Sequence, residues 1–284
     1  MKIVRAGIHA GAFAPFRILH ISDNHVSFAD KRNDERKIKL AEDRRACFDA
    51  DGFFSTVYLA EQLNLARKER LPVMHTGDLI DFVSYANLDY AKAALEGVDY
   101  FMCAGNHEYS LYVGEAWEDV PYKMQSFGLV ASYFKNDLYF ASRVINGVNF
   151  VAVDDGYYRF DQKQLELMKK EVEKGLPIIL LLHNPLHTDE LYHTLRRGKP
   201  DSAPAYLTGT PEPLLKCYDD YRYRQQLPDA DTLAFIDYIT SRPELKAVLA
   251  GHIHETQKTM LPCGIMQYCI GGGYHGDTGL IDID

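Results

Sequence analysis

A short apolar run leads into two carboxylates in the stretch Val73–Asp81, whose sequence is VMHTGDLID. Pro72, directly before the run, stops any helix that comes from the preceding residues. The run is therefore predicted to be a buried strand that ends at Gly77, where Asp78 and Asp81 follow. Carboxylates at the end of a buried strand are typical of a site built at the edge of a sheet.

The same arrangement recurs at four other places in the chain. Each time, an apolar run that is predicted to be a strand leads into imidazole, amide or carboxylate side chains. The four strings are Asp23-Asn24-His25, Gly105-Asn106-His107-Glu108, His183, and Gly251-His252-Ile253-His254. Together with Asp78 they offer only nitrogen and oxygen donors, and more of them than one metal ion can bind. That donor set predicts a dinuclear hydrolytic site, in which two cations share a bridging carboxylate and a bridging water.

Helical patterns separate these strands. Apolar residues at helical spacing predict helices over 53–70, 85–95, 115–127 and 161–174, and Asn146-Gly147 predicts the turn of a hairpin over 137–154. Lys2–Ile8 is predicted to be a further strand. Alternating strands and helices predict an α/β protein whose strand ends form the site. We expect the segment 256–283, with its short β runs and Gly-rich turns, to complete a second, mostly antiparallel sheet packed on the first.

Composition limits the class of protein. Of the 284 residues, 46% are hydrophobic and 25% are charged, as is ordinary for a soluble globular protein. The net charge of −9 argues against a general binder of polyanions, so nucleic acid is not an expected partner. Five scattered cysteines without a Cys-x-x-Cys pair indicate free thiols in a reducing compartment. No apolar run is long enough to cross a membrane, and we expect a cytoplasmic protein.

Two segments fall outside this rhythm of strands and helices. The stretch Asp30–Arg45 mixes charges of both signs and is interpreted as a solvated loop or surface helix without a binding function. The stretch 187–230 is long, rich in proline, and carries many tyrosines and arginines. Its aromatic content argues against disorder, and it begins four residues after His183. We interpret it as a lid or substrate-binding insertion in a single domain over residues 1–284.

The five strings, in this order and each at a strand end, resemble the signature blocks of the calcineurin-like metallophosphoesterase family. The resemblance implies two mixed β-sheets packed face to face and flanked by helices, which is a four-layer αββα sandwich. It also implies two metal ions, with manganese, iron, zinc and cobalt as candidates. The implied ligands are Asp23, His25 and His254 for the first ion, Asn106, His183 and His252 for the second, and Asp78 as the bridge between them.

The resemblance further implies how the site would work. A metal-bridging hydroxide would attack phosphorus in line with the leaving oxygen. His107 would protonate that leaving group or stabilise charge in the transition state, rather than bind metal, and Asp81 would orient the imidazole and raise its pKa. Glu108 would be a hydrogen-bonding partner behind the ligands.

The spacing of the ligand pairs has a physical reason. Residues two apart in an extended segment point to the same side, so Asp23 can converge with His25, and His252 with His254. The glycines that precede three of the strings allow sharp turns and a close approach of the backbone to the ions.

Two departures from the family pattern narrow the predicted substrate. Purple acid phosphatases carry a tyrosine at the position of Asp81, and phosphoprotein phosphatases carry arginines where this chain has Phe82 and Tyr109. What remains resembles the branch that contains bacterial cyclic-nucleotide and glycerophosphodiester phosphodiesterases. We therefore expect a phosphodiesterase whose substrate is a small organic or nucleotide-like phosphate ester.

Other functions stay open from the sequence. A phosphomonoesterase (phosphatase) could use the same site, and a protein that binds phosphate ligands without catalysis could keep the same fold. A metal-dependent amidohydrolase normally has its His-x-His pair on the first strand, whereas here that pair comes last. A nuclease would need a basic and aromatic track, which only the 187–230 stretch offers. The oligomeric state is left open.

Overall fold

The computed structural model describes residues 1–48, 54–114 and 119–284, in which strands and helices alternate along the chain. The strands are β1 Lys2–Ile8, β2 Phe16–Ile21, β3 Val73–His75, β4 Tyr100–Met102, β5 Phe140–Ile145, β6 Val148–Val153, β7 Ile178–Leu181, β8 Leu245–Ala250, β9 Gln257–Met260, β10 Met266–Cys269 and β11 Asp277–Ile283. The helices are α1 Glu35–Cys47, α2 Ser55–Glu69, α3 Tyr85–Ala94, α4 Val120–Met124, α5 Phe127–Ala131, α6 Gln162–Val172, α7 Asp189–Arg196, α8 Glu212–Leu215, α9 Asp220–Gln226 and α10 Ala230–Thr240.

Two sheets account for the strands of these ranges. The first has the order β1-β11-β2-β3-β4, and the second has the order β5-β6-β7-β8-β10-β9. Strands β2, β3 and β4 are parallel, as are β6, β7, β8 and β10. Because parallel neighbours end at the same edge, each sheet presents a row of carboxyl ends from which loops leave together.

The core lies in three apolar layers, which the side chains of β7 illustrate. Ile178 and Leu180 pack in a cluster with α6 and α10, whereas Ile179 and Leu181 pack in a cluster between the two sheets. Helices α2 and α3 cover the outer face of the five-stranded sheet. Both faces of β7 are therefore buried, which explains its uninterrupted apolar sequence. The expected αββα sandwich is confirmed.

The C-terminal segment departs from the prediction. β9 and β10 belong to the six-stranded sheet, but β11 lies between β1 and β2 in the five-stranded one, parallel to β1 and antiparallel to β2. The expectation that residues 256–283 complete a mostly antiparallel sheet is therefore wrong, and the six-stranded sheet is parallel at its centre. Short β runs alone do not specify a partner. The Gly-rich turn carries the chain from one sheet to the other, and Gly273 N donates to Ser22 O on the way.

Several other predictions can be compared directly. Strand Lys2–Ile8 and the antiparallel β5–β6 hairpin are confirmed, with Asn146 and Gly147 in left-handed conformation at the turn. The predicted helix over 115–127 includes residues 115–118, which lie outside the described residues, and α4 occupies part of the remainder. All five cysteines are free thiols. No helix in the described parts of the chain is long and apolar enough to cross a bilayer.

The 187–230 stretch contains helices α7, α8 and α9 and packs around a small apolar cluster of its own. Members of that cluster are Leu191, Leu195, Leu207, Leu215 and Tyr218, joined by residues of β8 and β10. The stretch is therefore anchored on the strands that carry the C-terminal histidines.

The layer between the sheets gives a stability prediction. Replacing Ile179 with alanine removes a fully buried side chain and should lower the free energy of unfolding by about 2–5 kcal/mol. Leu233→Ala, at a side chain on α10 that is 44% exposed, should change it by less than about 0.5 kcal/mol. Urea unfolding of both variants measures the difference, and equal losses would contradict the assigned core.

Candidate metal centre

The predicted site residues lie at carboxyl ends of strands from both sheets. Three strings follow β2, β3 and β4 of the five-stranded sheet, and two follow β7 and β8 of the six-stranded sheet. The two edges meet, so side chains distant in the sequence come together. Ligand atoms within 4.8 Å of one another form three groups in the described residues, which are Asp23 with His25 and His254, His25 with Asp78 and His107, and Asp78 with His183 and His252.

Left-handed backbone conformation directs these side chains. Positive φ angles, between 49° and 68°, occur at Asp23, His25, Asp78, His252 and His254. Such angles are uncommon for residues other than glycine and concentrate at functional sites. The prediction that each pair two residues apart lies in an extended segment is therefore wrong. Asp23 and His25 fall in one group, whereas His252 and His254 point into different groups.

The first group lies around Asp23. Its Oδ1 is 3.3 Å from His254 Nε2 and 3.8 Å from His25 Nε2, and the two imidazole nitrogens are 3.1 Å apart. The second group lies around Asp78, whose Oδ2 is 3.1 Å from His183 Nε2. His252 also belongs to this second group. Asp78 Oδ2 is also 3.8 Å from His25 Nε2, so this carboxylate stands between the two groups.

His252 and Asn106 complete the second group. His252 Nδ1 lies 3.0 Å from His183 Nε2. Asn106 Oδ1 is buried, and in the described part of the structure it has no hydrogen-bond partner. A buried acceptor of this kind is costly unless something binds it. Nitrogen and oxygen donors that face one another, with an unpaired amide oxygen beside them, fit a pair of divalent cations.

The other nitrogen of each of the four imidazoles is held by an outer partner, which sets the direction of the ring. Two of these partners come from strand-end loops, and two are tyrosine hydroxyls. The contacts are His25 Nδ1 to Asp81 Oδ1 at 2.9 Å, His183 Nδ1 to Thr76 O at 2.7 Å, His252 Nε2 to Tyr158 Oη at 2.7 Å, and His254 Nδ1 to Tyr274 Oη at 3.3 Å. Metal-binding histidines are commonly fixed in this way.

Tyr158 and Tyr274 were not predicted from the sequence. Tyr158 is buried and has a left-handed backbone with φ of 65°. Tyr274 lies in the short 3₁₀ turn Gly273–His275 that follows the crossing between the sheets, and its N donates to Asp23 O. Neither tyrosine stands in a string with the histidine that it contacts, so only the fold brings them together.

Asp81 contacts His25, His107 and Arg44. Its Oδ1 is 2.9 Å from His25 Nδ1 and 3.1 Å from His107 Nδ1, and its carbonyl is 2.7 Å from the same His107 nitrogen. Burial alone would lower the pKa of the His107 imidazole, but the carboxylates of Asp78 and Asp81 raise it to about 10. The His107 ring is thus held at one nitrogen, and the two carboxylates favour its protonated form.

Arg44 completes the surroundings of Asp81 and corrects an interpretation. Its Nε is 2.6 Å from Asp81 Oδ2, and its Nη2 is 2.9 Å from Oδ1. Arg44 belongs to the charged stretch Asp30–Arg45, which we interpreted as a solvated segment without a binding function. Most of that stretch does form a surface helix, α1, but its last turn forms a two-pronged ion pair with a buried carboxylate.

Glu108 fixes the loops after β3 and β4. Its buried carboxylate accepts hydrogen bonds from the backbone N–H groups of Asp78, Leu79, Ile80 and Gly105, at 2.7 to 3.2 Å. Burial and the nearby Asp78 carboxylate raise its pKa to about 7. One side chain therefore ties the two strand ends to each other.

Two of the predicted glycines are needed because the backbone passes very close to carboxylates. A Cβ atom at Gly105 would lie 2.1 Å from Asp78 Oδ1, and one at Gly251 would lie 2.5 Å from Asp23 Oδ2. The close approach thus concerns the ligand side chains themselves. Asp155 is fully buried and accepts hydrogen bonds from His183 N at 2.9 Å and from Thr208 Oγ1.

The fold and the donor set together are those of a metal-dependent phosphoesterase. The family model described as calcineurin-like phosphoesterase matches residues 16–256. The chain belongs to the calcineurin-like phosphoesterase family and is a hydrolase that acts on phosphoric ester bonds. Membership of a phosphoesterase family implies a phosphate ester as the substrate.

Solved structures support the fold. A dimetal phosphatase from Danio rerio is 15% identical, with a TM-score of 0.54 over 92% of this chain and 88% of that one. Purple acid phosphatase PPD1 from seeds of yellow lupin (Lupinus luteus) is also 15% identical, with a TM-score of 0.55 over 92% of this chain and 44% of that one. No curated protein sequence matches the chain significantly.

The tyrosine contacts lead to a prediction about metal affinity. Tyr158→Phe and Tyr274→Phe each remove one hydroxyl that holds an imidazole, and each should weaken binding of one metal ion by about 10- to 100-fold. Titration of metal-stripped protein with manganese, followed by calorimetry, measures the change. Tyr268→Phe is the control, because its hydroxyl donates to Gly7 O away from the site. Unchanged affinity in the first two variants would contradict the assigned role.

Glu108 gives a second prediction. In Glu108→Gln, one acceptor oxygen becomes an NH₂ group that faces backbone donors, so buried N–H groups lose their partner. The free energy of unfolding should fall by about 1–3 kcal/mol. Glu166→Gln, on an exposed position of α6, serves as the matched control. Urea unfolding compares the two, and equal stability would show that the carboxylate does not support the loops.

Proposed function

We propose that the chain is a metal-dependent phosphodiesterase that hydrolyses small organic or nucleotide-like phosphodiesters. The observation that carries the proposal is the convergence of seven nitrogen- and oxygen-bearing side chains from two sheets, with His107 beside them. A cavity of about 630 Å³ opens directly onto this cluster. That volume leaves room for a substituent on each side of a phosphoryl group.

Each proposed ligand has a place in a two-metal site. Asp23, His25 and His254 would hold one ion, and Asn106, His183 and His252 would hold the other, with Asp78 shared between them. When bound, the two cations would activate a water molecule and stabilise charge on the phosphoryl oxygens. The donors suit manganese, iron, zinc or cobalt, and the supply of metal decides among them.

His107 is proposed to donate a proton to the leaving oxygen. It lines the cavity, and its Nδ1 is held by Asp81, so Nε2 is the nitrogen that would serve the substrate. Asp81 fixes the ring and favours its protonated form, as a general acid requires. Arg44 in turn holds the Asp81 carboxylate in position.

A direct assay separates the proposal from its alternatives. The metal-stripped protein is loaded with manganese, zinc or iron and given bis(p-nitrophenyl) phosphate or p-nitrophenyl phosphate. Preference for the diester supports a phosphodiesterase, whereas preference for the monoester supports a phosphomonoesterase that uses the same site. No turnover of either, with both metal ions bound, would favour a binding protein that keeps the fold.

The role of His107 gives a kinetic prediction. His107→Gln should lower kcat by about 10²- to 10⁴-fold, because the leaving oxygen loses its proton donor. The metal content, measured by elemental analysis, should stay unchanged. His193→Gln, at an exposed imidazole on α7, should leave kcat as it is. Full activity in His107→Gln, or loss of metal along with activity, would refute the assignment of an acid that does not bind metal.

A further inference from the structure

The 187–230 stretch contributes one wall of the cavity over the metal centre. Its floor includes Asp78, His107 and His252. Its far wall includes four side chains that the mechanism above does not use, which are Lys199, Tyr206, Tyr221 and Arg222. The wall therefore faces whatever part of the substrate extends away from the phosphoryl group.

Arg222 is a charged group of this wall that is held by neighbouring side chains. Its guanidinium carbon lies 5.1 Å from the ring centre of Tyr206 and 4.8 Å from that of Tyr221. Its Nη1 donates to Gln225 Oε1 at 2.7 Å. Two rings and one hydrogen bond are therefore among the contacts that hold the guanidinium at this wall. A guanidinium held in this way loses little entropy when it forms paired hydrogen bonds to a carboxylate or phosphate.

Tyr206 places this guanidinium at a defined position relative to the metal centre. Its ring centre lies 5.7 Å from that of His252, at an interplanar angle of 81°. Its backbone is left-handed, with φ of 58°, as at five of the proposed ligands. A single aromatic ring therefore stands between a proposed metal ligand and Arg222. A small substrate can therefore contact both the metal centre and Arg222.

The charge of the wall favours an anion over a planar base. Arg222 lies over the rings of Tyr206 and Tyr221, so it competes with a base for stacking there. Lys199 adds a second cation. Asp219 also lines the wall, and its carboxylate caps helix α9 by accepting from Arg222 N at 2.8 Å, so the wall holds two cations and one anion. The chain has a net charge of −9, so its surface is not generally basic. The presence of Lys199 and Arg222 in this one cavity is therefore a local feature.

We propose that Arg222, assisted by Lys199, binds a second anionic group of the substrate, a carboxylate or a phosphate, one ring away from the hydrolysed phosphoryl group. The inference rests on the proposed function, since the phosphoryl end must be held at the metal centre. It names the substrate class as phosphoric esters that carry a further anion. The wall comes from the 187–230 stretch, which packs against residues of β8 and β10.

Non-hydrolysable probes test the proposal. Linear ω-phosphonocarboxylates of two to six carbons are compared with alkylphosphonates of the same length, by calorimetry on the manganese-loaded protein. At least one length should bind about tenfold or more tightly with the carboxylate than without it. Arg222→Gln should abolish that advantage and leave the alkylphosphonates unchanged, and Arg222→Lys should retain part of it. Bisphosphonates of the same lengths show whether carboxylate or phosphate is preferred.

Arg224→Gln is the matched control. Arg224 lies on the same helix and carries the same charge, but it is exposed, pairs with Asp220 and does not line this cavity. Its replacement should leave the affinity of every probe unchanged. If Arg222→Gln and Arg224→Gln weakened phosphonocarboxylate binding equally, the effect would be a general electrostatic attraction to positive charge. That result would overturn the proposal. So would equal binding of the two probe series by the unchanged protein.

Activity on bis(p-nitrophenyl) phosphate, measured on the same samples, keeps the two proposals separable. That substrate has no second anion, so its hydrolysis by the unchanged protein reports on the metal centre without the anion site. Hydrolysis without any carboxylate advantage would overturn the anion site and leave the phosphodiesterase intact. A carboxylate advantage that depends on Arg222, without hydrolysis of any ester, would overturn the catalytic proposal and support the anion site.

Discussion

The carboxylate of Glu108 is the contact on which the arrangement of the site depends. It accepts four backbone N–H groups from two loops, three after β3 and one after β4. Those loops would otherwise leave buried donors without partners, which is among the larger costs that a fold can carry. Because the carboxylate satisfies both loops at once, it fixes Asp78 relative to Asn106. The bridging carboxylate of the proposed site is positioned by this one side chain.

Strain in the backbone is the second constraint. Five proposed ligands have positive φ, and each such residue costs of order 1–3 kcal/mol unless its surroundings hold it there. Hydrogen bonds to the backbone provide part of that support. Asp23 accepts from His252 N, and Asp78 accepts from His107 N. Proposed ligands from the five-stranded sheet thus hold loops of both sheets in place. The metal centre and the contact between the sheets therefore stabilise each other.

The family resemblance implied the αββα sandwich, and the sequence pattern predicted an α/β protein with convergent side chains for a physical reason. Each string follows an apolar strand, and parallel strands bring their carboxyl ends to one edge. It failed where the information is not local. The partners of β11 could not be read from a short β run, and the left-handed angles at Asp23 and His252 have no signal in a pattern of alternating polarity. Their roles as ligands remain proposals.

The residues that surround the proposed ligands could not be predicted from local sequence patterns. Arg44 was interpreted as part of a solvated face because its neighbours on α1 are charged, yet it reaches the buried Asp81. Tyr158 and Tyr274 lie far from their histidines in sequence and meet them only after both sheets have formed. A ligand must lie at a strand end, but a residue behind it can come from any element that passes within hydrogen-bonding distance. The same freedom lets the 187–230 stretch form the far wall of the cavity. Selection can therefore change what the site recognises through Tyr206 and Arg222 while the strand ends, and the chemistry built on them, stay as they are.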